Sequence, residues 1–98
     1  MRTEEKILTL LKNPLLTDYA LATMTDGRLY PANVTRYRKR LEEERDAGKV
    51  FEGMKKKTEL ILLEIAEEVE RVQPKTKKDV RKMVHDYVNN QRRKQISE

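Results

Sequence analysis

The sequence predicts a mainly α-helical protein, and three patterns along its 98 residues indicate that class. Apolar residues recur three and four positions apart through most of the chain, which is the spacing of one helix face. Only three prolines and three glycines interrupt this pattern, so most segments between them are long enough for helices. The alternation of polar and apolar residues that indicates a strand is confined to Lys49–Glu52.

Caps and helix breakers mark the first two helices. The first is predicted from Thr3 to Lys12, because Asn13-Pro14 prevents its continuation. Its buried face contains Ile7, Leu8, Leu10 and Leu11. The second begins at Thr17 or Asp18, either of which can cap its unpaired N–H groups, and it ends at Thr25-Asp26-Gly27.

A third helix opens at Pro31, whose fixed φ suits a first helical position, and extends to about Ala47 with Gly48 as its stop. One side carries an apolar stripe that we expect to pack against Leu8, Leu11 and Leu21: Val34, Tyr37 and Leu41. The opposite side and its edge carry mostly polar residues: Ala32, Asn33, Thr35, Arg36, Lys39, Arg40 and Glu43. The following segment, Lys49–Glu52, is either a minimal β wing or a loop.

Two further helices are predicted after Gly53. The fourth spans roughly Thr58–Val72, and the fifth begins near Thr76, whose spacing to Asp79 resembles a capping box. Residues 89–98 are expected to fray. The apolar stripes of these two helices contain Ile61, Leu62, Ile65, Val69, Val72, Val80, Met83, Val84, Tyr87 and Val88. Leu60 and Leu63 lie off the stripe of the fourth helix, so that helix needs more than one neighbour.

Catalytic and metal-binding patterns are missing from the sequence. The chain has no cysteine, no glycine-rich phosphate loop, no nucleophile paired with a base, and no metal-ligand spacing. We interpret the only histidine, His85, as a surface residue, and the carboxylates of Glu64–Glu70 as a solvated helix face. The expected function is therefore non-enzymatic, with no catalytic residue, no cofactor and no bound metal.

The charge of the chain is arranged in blocks. The net charge is +5, of which residues 1–53 contribute +1 and residues 54–98 contribute +4. A cationic block, Arg36–Arg40, is followed by an acidic block, Glu42–Glu44. A local cationic face still attracts phosphate, because exposed charges act over roughly 8–10 Å at physiological ionic strength.

No targeting or membrane-spanning segment is apparent. The longest apolar run, Leu60–Leu63, is far shorter than the roughly 20 residues that a spanning helix needs. Glu4 and Glu5 also interrupt the start of the chain, where a signal peptide would be apolar. We expect a soluble cytoplasmic protein without a membrane partner.

The stretch from about Ile7 to Phe51 resembles the helix-turn-helix superfamily, and more narrowly its winged-helix branch. The resemblance depends on a second helix with small residues, on the Val34, Tyr37 and Leu41 pattern of the third, and on Gly48 and Val50 after it. It covers about half of the chain. The distance from Ala22 to Val34 is longer than usual, which implies an enlarged turn with Tyr30 under the third helix. The distance from Leu41 to Gly48 is also longer than usual, which implies roughly one more turn of that helix.

The resemblance implies which residues contact DNA, in duplex rather than single-stranded form. Side chains on the outer face of the third helix would meet bases and phosphates: Asn33, Thr35, Arg36, Lys39 and Arg40. Three lysines further along, Lys55, Lys56 and Lys57, either contact backbone phosphate or form a solvated loop.

A dimer or partner surface is expected on the last two helices. Leu60 and Leu63 are either core under the fifth helix or part of such a surface, and Met83 and Tyr87 are the alternative location. We therefore divide the chain into a helix-turn-helix-like domain, residues 1–53, and a C-terminal helical extension, residues 54–98.

Three functions remain open from the sequence. The first is a small regulator that binds duplex DNA as a homodimer through its third helix. The second is an accessory subunit that docks onto a larger DNA-processing enzyme, such as a replication or conjugation component of a mobile element. The third is a phage-type nuclease inhibitor. A stable dimer in solution would favour the regulator, and a monomer with exposed Leu60 and Leu63 would favour the accessory subunit.

Overall fold

The computed structural model of the protein describes residues 3–43 and 47–97. These residues form five α-helices and one short 3-10 helix, so the predicted mainly α class is confirmed. The α-helices are α1 (Thr3–Lys12), α2 (Asp18–Met24), α3 (Pro31–Glu43), α4 (Lys56–Val72) and α5 (Lys77–Ser97), and the 3-10 helix is Ala47–Phe51. None of the helices in the described part is long and apolar enough to span a membrane.

Two of the predicted caps are present. The hydroxyl oxygen of Thr17 accepts a hydrogen bond from the Ala20 N–H at 3.0 Å and thereby caps α2. Thr76 and Asp79 form the expected capping box before α5, since the Asp79 N–H donates to Thr76 Oγ1 and the Thr76 N–H donates to Asp79 Oδ2, both at 3.1 Å. The two N–H groups of Lys75 and Thr76 lower the pKa of the Asp79 carboxyl.

The structure differs from the sequence predictions in two of these elements. Ala47–Phe51 is a 3-10 helix with Val50 fully buried, so the strand alternative for Lys49–Glu52 is wrong. Four residues are too few to distinguish a period of two from a period near three. α5 continues to Ser97 instead of fraying from residue 89. The predicted continuation of α3 through residues 44–46 lies outside the described residues.

One hydrophobic core joins both halves of the chain. α1 packs against α4, and α2 packs against α3 and α5, while the 3-10 helix lies against α3. The core includes buried residues from every described helix, among them the fully buried Ile7, Leu21, Met24, Val34, Val50, Leu62 and Ile65. The C-terminal helices thus pack on the first half of the chain, and the division at residue 53 remains a prediction about function.

The turn between α2 and α3 is fixed by side chains. Thr25 is fully buried, and its hydroxyl donates to the Ala22 carbonyl at 2.6 Å and accepts from the Leu29 N–H at 3.0 Å. Asp26 and Gly27 then adopt positive φ values of 51° and 86°. Aspartate is one of the few non-glycine residue types that tolerate positive φ, because its short polar side chain can form hydrogen bonds to nearby groups.

An ion pair ties this turn to the far end of α5. The Arg92 guanidinium donates to both carboxylate oxygens of Asp26, at 2.8 and 3.1 Å. The hydrogen bond from Arg92 lowers the pKa of the Asp26 carboxyl. Because the folded-state pKa is lowered, the contribution to stability is present above the unfolded pKa and is lost as the pH falls through the folded value.

The core position of α4 leads to a stability prediction. Leu62 is fully buried whereas Leu60, two residues earlier on the same helix, is 52% exposed. We expect Leu62→Ala to lower the free energy of unfolding by about 2–5 kcal/mol, because truncation leaves a cavity. The matched control Leu60→Ala should change it by less than about 0.5 kcal/mol. Urea unfolding followed by circular dichroism measures both, and equal losses would contradict the packing described above.

Candidate nucleic-acid interface

The outer face of α3 presents exposed cationic side chains in its middle turns. Arg36, Lys39 and Arg40 are all exposed. The guanidinium carbon of Arg36 lies 5.7 Å from the centre of the Tyr37 ring, a cation–π contact that uses none of its N–H groups. Neither Arg36 nor Lys39 forms a hydrogen bond or ion pair with another described residue. Both side chains therefore keep their full hydrogen-bonding capacity for a ligand.

Arg40 connects α3 to the segment that carries the three lysines. Its Nη1 donates to the carbonyl oxygen of Glu52 at 3.1 Å. Lys55 follows Glu52 by three residues, so their Cα atoms are at most about 11 Å apart. The two cationic groups that the sequence predicted separately are thus held near each other in the folded chain.

The lysines Lys55, Lys56 and Lys57 lie at the start of α4. This helix begins at Lys56, two residues before the predicted start at Thr58, and Lys55 at its N-cap position makes no side-chain capping bond. All three side chains are exposed. The unpaired N–H groups of a helix start carry partial positive charge, so these lysines add to an already electropositive position. An anion such as a phosphate group is favoured there.

Two of the predicted DNA contacts, Asn33 and Thr35, have hydrogen-bond partners within the protein. The side-chain oxygen of Asn33, in the first turn of α3, accepts the N–H of Tyr30 before the helix at 3.0 Å, as the third helical residue does in a capping box. The Thr35 hydroxyl lies 2.5 Å from Asp18 Oδ2 and 3.0 Å from the Pro31 carbonyl oxygen, and it donates its proton to these acceptors. Asn33 retains its NH₂ group for a ligand, whereas Thr35 retains only acceptor capacity.

Arg38 has a structural role that was not predicted from the sequence. Its Nη1 pairs with Asp18 at 2.6 Å, its Nε donates to the Leu11 carbonyl at 2.9 Å, and its Nη2 donates to the Asn13 carbonyl at 3.4 Å. The side chain is only 19% exposed. Arg38 follows Val34 by four residues and precedes Leu41 by three, so its helical spacing could have indicated this inward position.

Tyr30 lies on the surface, contrary to the expectation that it packs under the third helix. It is 71% exposed, and the neighbouring Leu29 is buried in its place. The turn therefore ends with an exposed aromatic ring directly before α3. No periodic signal distinguishes Leu29 from Tyr30 in so short a connection, since both are apolar enough for a core.

Carboxylates limit the electropositive surface to part of α3. Glu42 and Glu43 are exposed at the described end of this helix, and Glu52 is exposed in the turn that follows the 3-10 helix. Repulsion from these carboxylates disfavours phosphate near that end of α3. The favourable part of the surface is the stretch around Arg36 and Lys39, together with the start of α4.

The residues expected to form a dimer or partner surface separate into two groups. Met83 and Tyr87 are 3% and 6% exposed and belong to the core, so little of either side chain can meet a partner. Burial also raises the pKa of the Tyr87 hydroxyl. Leu63 is half-buried against the core, and Leu60 is the one of the four that is largely exposed. Met83 and Tyr87 lie on the apolar stripe that helical spacing predicted for α5, and this stripe is buried in the core.

The contrast between Arg38 and Arg36 can be tested by matched substitutions. Arg38→Met should lower the free energy of unfolding by about 2–3 kcal/mol, because it removes charged hydrogen bonds and leaves Asp18 without its cation. Arg36→Met, two residues away on the exposed face, should change it by less than about 0.5 kcal/mol. Urea unfolding of the two variants provides the comparison. A similar loss for both would show that Arg38 is not the structural cation.

Comparisons with known proteins add no functional assignment. A scan against protein-family models and searches of curated proteins and of solved structures found no match to this chain. The chemistry of the α3 surface is therefore the basis for a functional conclusion.

Proposed function

We propose that this chain is a non-enzymatic DNA-binding protein of the helix-turn-helix type, which contacts duplex DNA with the outer face of α3. In proteins of that type a short helix packs against a second helix that enters the major groove. The packing of α2 against α3 across the turn at residues 25–30 is compatible with this role. A β wing is not part of the proposal, because the segment that would begin it is a 3-10 helix.

The proposal depends on a difference between neighbouring cations of α3: one is hydrogen-bonded within the protein and two are not. Arg38 is fully engaged by Asp18 and two backbone carbonyls. Arg36 and Lys39, whose side chains are exposed, have no hydrogen-bonding partner among the described residues. Arginine side chains that remain unpaired on an exposed helix are suited to bind guanine edges or phosphates.

The roles proposed for the individual residues follow from their contacts. Arg36 and Lys39 would reach into the groove or bind its phosphates, and Asn33 would offer its remaining NH₂ group. Lys55, Lys56 and Lys57 would bind the adjacent backbone, where the start of α4 adds partial positive charge. Arg40 would mainly keep this second group in place through the Glu52 carbonyl.

The main experiment is a fluorescence anisotropy titration of a labelled duplex of arbitrary sequence at several salt concentrations. Arg36→Ala combined with Lys39→Ala should weaken binding. The slope of log affinity against log salt concentration should also become shallower, by about 0.9 for each phosphate that the variant no longer neutralises. The control is Lys78→Ala combined with Lys82→Ala, which removes the same charge from α5. Circular dichroism of each variant verifies that it is folded.

The outcomes of this titration separate the alternatives. A larger loss of affinity for the α3 variant than for the α5 variant supports the proposal. Equal losses would show that binding reflects overall charge, and tighter binding to a single strand of the same length would contradict a preference for duplex DNA. If the wild-type chain binds neither nucleic acid at low salt, the proposal fails.

An accessory subunit of a DNA-processing enzyme is the second candidate. Exposed apolar side chains favour it, since Tyr19 is 73% exposed and Leu60 is 52% exposed. Single exposed apolar residues are common on monomers, so they do not establish an interface by themselves. Light scattering at several protein concentrations discriminates the candidates: a stable dimer favours the regulator, and a monomer favours the accessory subunit.

A further inference from the structure

A groove between α2 and α5 is the main apolar depression on the described surface that the proposed DNA contact does not use. It has a volume of about 440 Å³, within the range of binding clefts, and its exposed lining is predominantly apolar. Tyr19 and Ala20 line it on the side of α2, and Val84 lines it on the side of α5 together with the small exposed parts of Val80 and Val88. None of the residues proposed above to bind DNA lines this groove.

The charged side chains that line the groove itself are arginines. Arg81 lies towards one end of the groove and Arg92 towards the other, and no carboxylate lines it. Arg81 forms no hydrogen bond or ion pair with another described residue. The nearby carboxylate of Asp26 is already engaged by Nε and Nη2 of Arg92, which leaves Nη1 of that arginine unused by this pair.

The shape of the groove favours a helix as its occupant. Arg81 and Arg92 are eleven positions apart on α5, which corresponds to a length of about 16 Å, or three helical turns. A groove between two helices accepts the apolar face of a third helix. Addition of a β-strand is disfavoured, since residues 3–43 and 47–97 contain no sheet edge for it to extend.

We propose that this groove binds a short acidic amphipathic helix of another protein. The exposed ring of Tyr19 and the half-buried Ala20 and Val84 would pack against the apolar stripe of that helix, while Arg81 and Arg92 would pair with its carboxylates. DNA is a poor occupant, because the apolar floor offers nothing to phosphate. A second copy of this chain is also disfavoured, because its acid-bearing helices α1 and α4 already bury their apolar stripes in its own core.

The first test uses a synthetic peptide as the probe. The peptide is about 15 residues long, with leucines at helical spacing i, i+3, i+4 and i+7 and glutamates elsewhere. A scrambled peptide of the same composition serves as the control. Titration into the isotopically labelled chain, followed by NMR, should shift the signals of Ala20, Val84 and Val88 in a saturable manner. Equal shifts with the scrambled peptide, or none, would overturn the proposal.

The second test uses two exposed residues of one helix as a matched pair. Arg81→Glu should weaken binding of the acidic peptide by roughly tenfold, because attraction to its carboxylates becomes repulsion. Lys82→Glu makes the same charge change, but Lys82 lines a polar notch on another side of α5, and this variant should bind like the wild type. Tyr19→Ala, which removes an exposed wall of the groove, should weaken binding by roughly fivefold.

Three results would contradict the proposal. The first is that Arg81→Glu and Lys82→Glu change the affinity for the peptide equally. The second is that Arg81→Glu or Tyr19→Ala leaves this affinity unchanged. The third is that the NMR signals of the groove shift with protein concentration in the absence of peptide. The last result would identify a second copy of the chain as the occupant. Neither peptide titration contains DNA, so failure of this proposal is distinguishable from failure of the proposed DNA binding.

Discussion

The short helix α2 is the element on which the rest of the fold depends. A helix of seven residues is too short to be stable in water, because isolated helices need about 12–15 residues even with favourable sequences. Tertiary contacts therefore have to hold α2 in place. Its fully buried Leu21 and Met24 enter the core, and the helix packs against both α3 and α5.

Polar contacts also hold both ends of α2 in place, and most of them join residues that are far apart in the sequence. At its start, Asp18 accepts hydrogen bonds from Thr35 and Arg38 of α3. After its end, buried Thr25 closes the turn and Asp26 pairs with Arg92 of α5. These contacts fix the position of α3 relative to the core and therefore determine which of its side chains face solvent. The candidate DNA surface is in this sense a consequence of how α2 is held.

The cationic side chains of α3 have two different roles in this arrangement. The cation nearest the core, Arg38, is used to join α1, α2 and α3, and its removal would disturb the fold before it affected any ligand. Arg36 and Lys39 serve no such purpose among the described residues. Sequence composition treats these residues as one basic block, whereas the structure divides them into a structural cation and two cations available to a partner.

Much of the fold could be predicted from the sequence, because its helices are amphipathic and have recognisable caps. Helical spacing identified the buried stripe of α5, and residue types indicated the caps at Thr76 and at Thr17 or Asp18, of which the structure has Thr17. Short segments were less predictable. Lys49–Glu52 has too few residues to define a period, and the short connection before α3 does not show whether Leu29 or Tyr30 is the buried residue. Pairs such as Asp18 with Arg38, or Asp26 with Arg92, join distant positions that no local pattern relates.

The candidate site was predictable only as a set of residue types. The sequence placed Arg36, Lys39 and Arg40 on one side of a helix, but it gave Asn33 and Thr35 the same role as these cations. Their capping and Asp18 contacts arise from the start of α3 and from its packing on α2. Burial of Met83 and Tyr87, by contrast, agrees with the apolar stripe that helical spacing predicted for α5.

If the outer face of α3 and the start of α4 form the surface that meets duplex DNA, backbone NMR signals there should respond to titration with a short duplex. We expect the largest shifts at Arg36, Lys39, Arg40 and the lysines Lys55–Lys57. Shifts centred instead on α1 or on the groove between α2 and α5, or no shifts at low salt, would contradict this expectation.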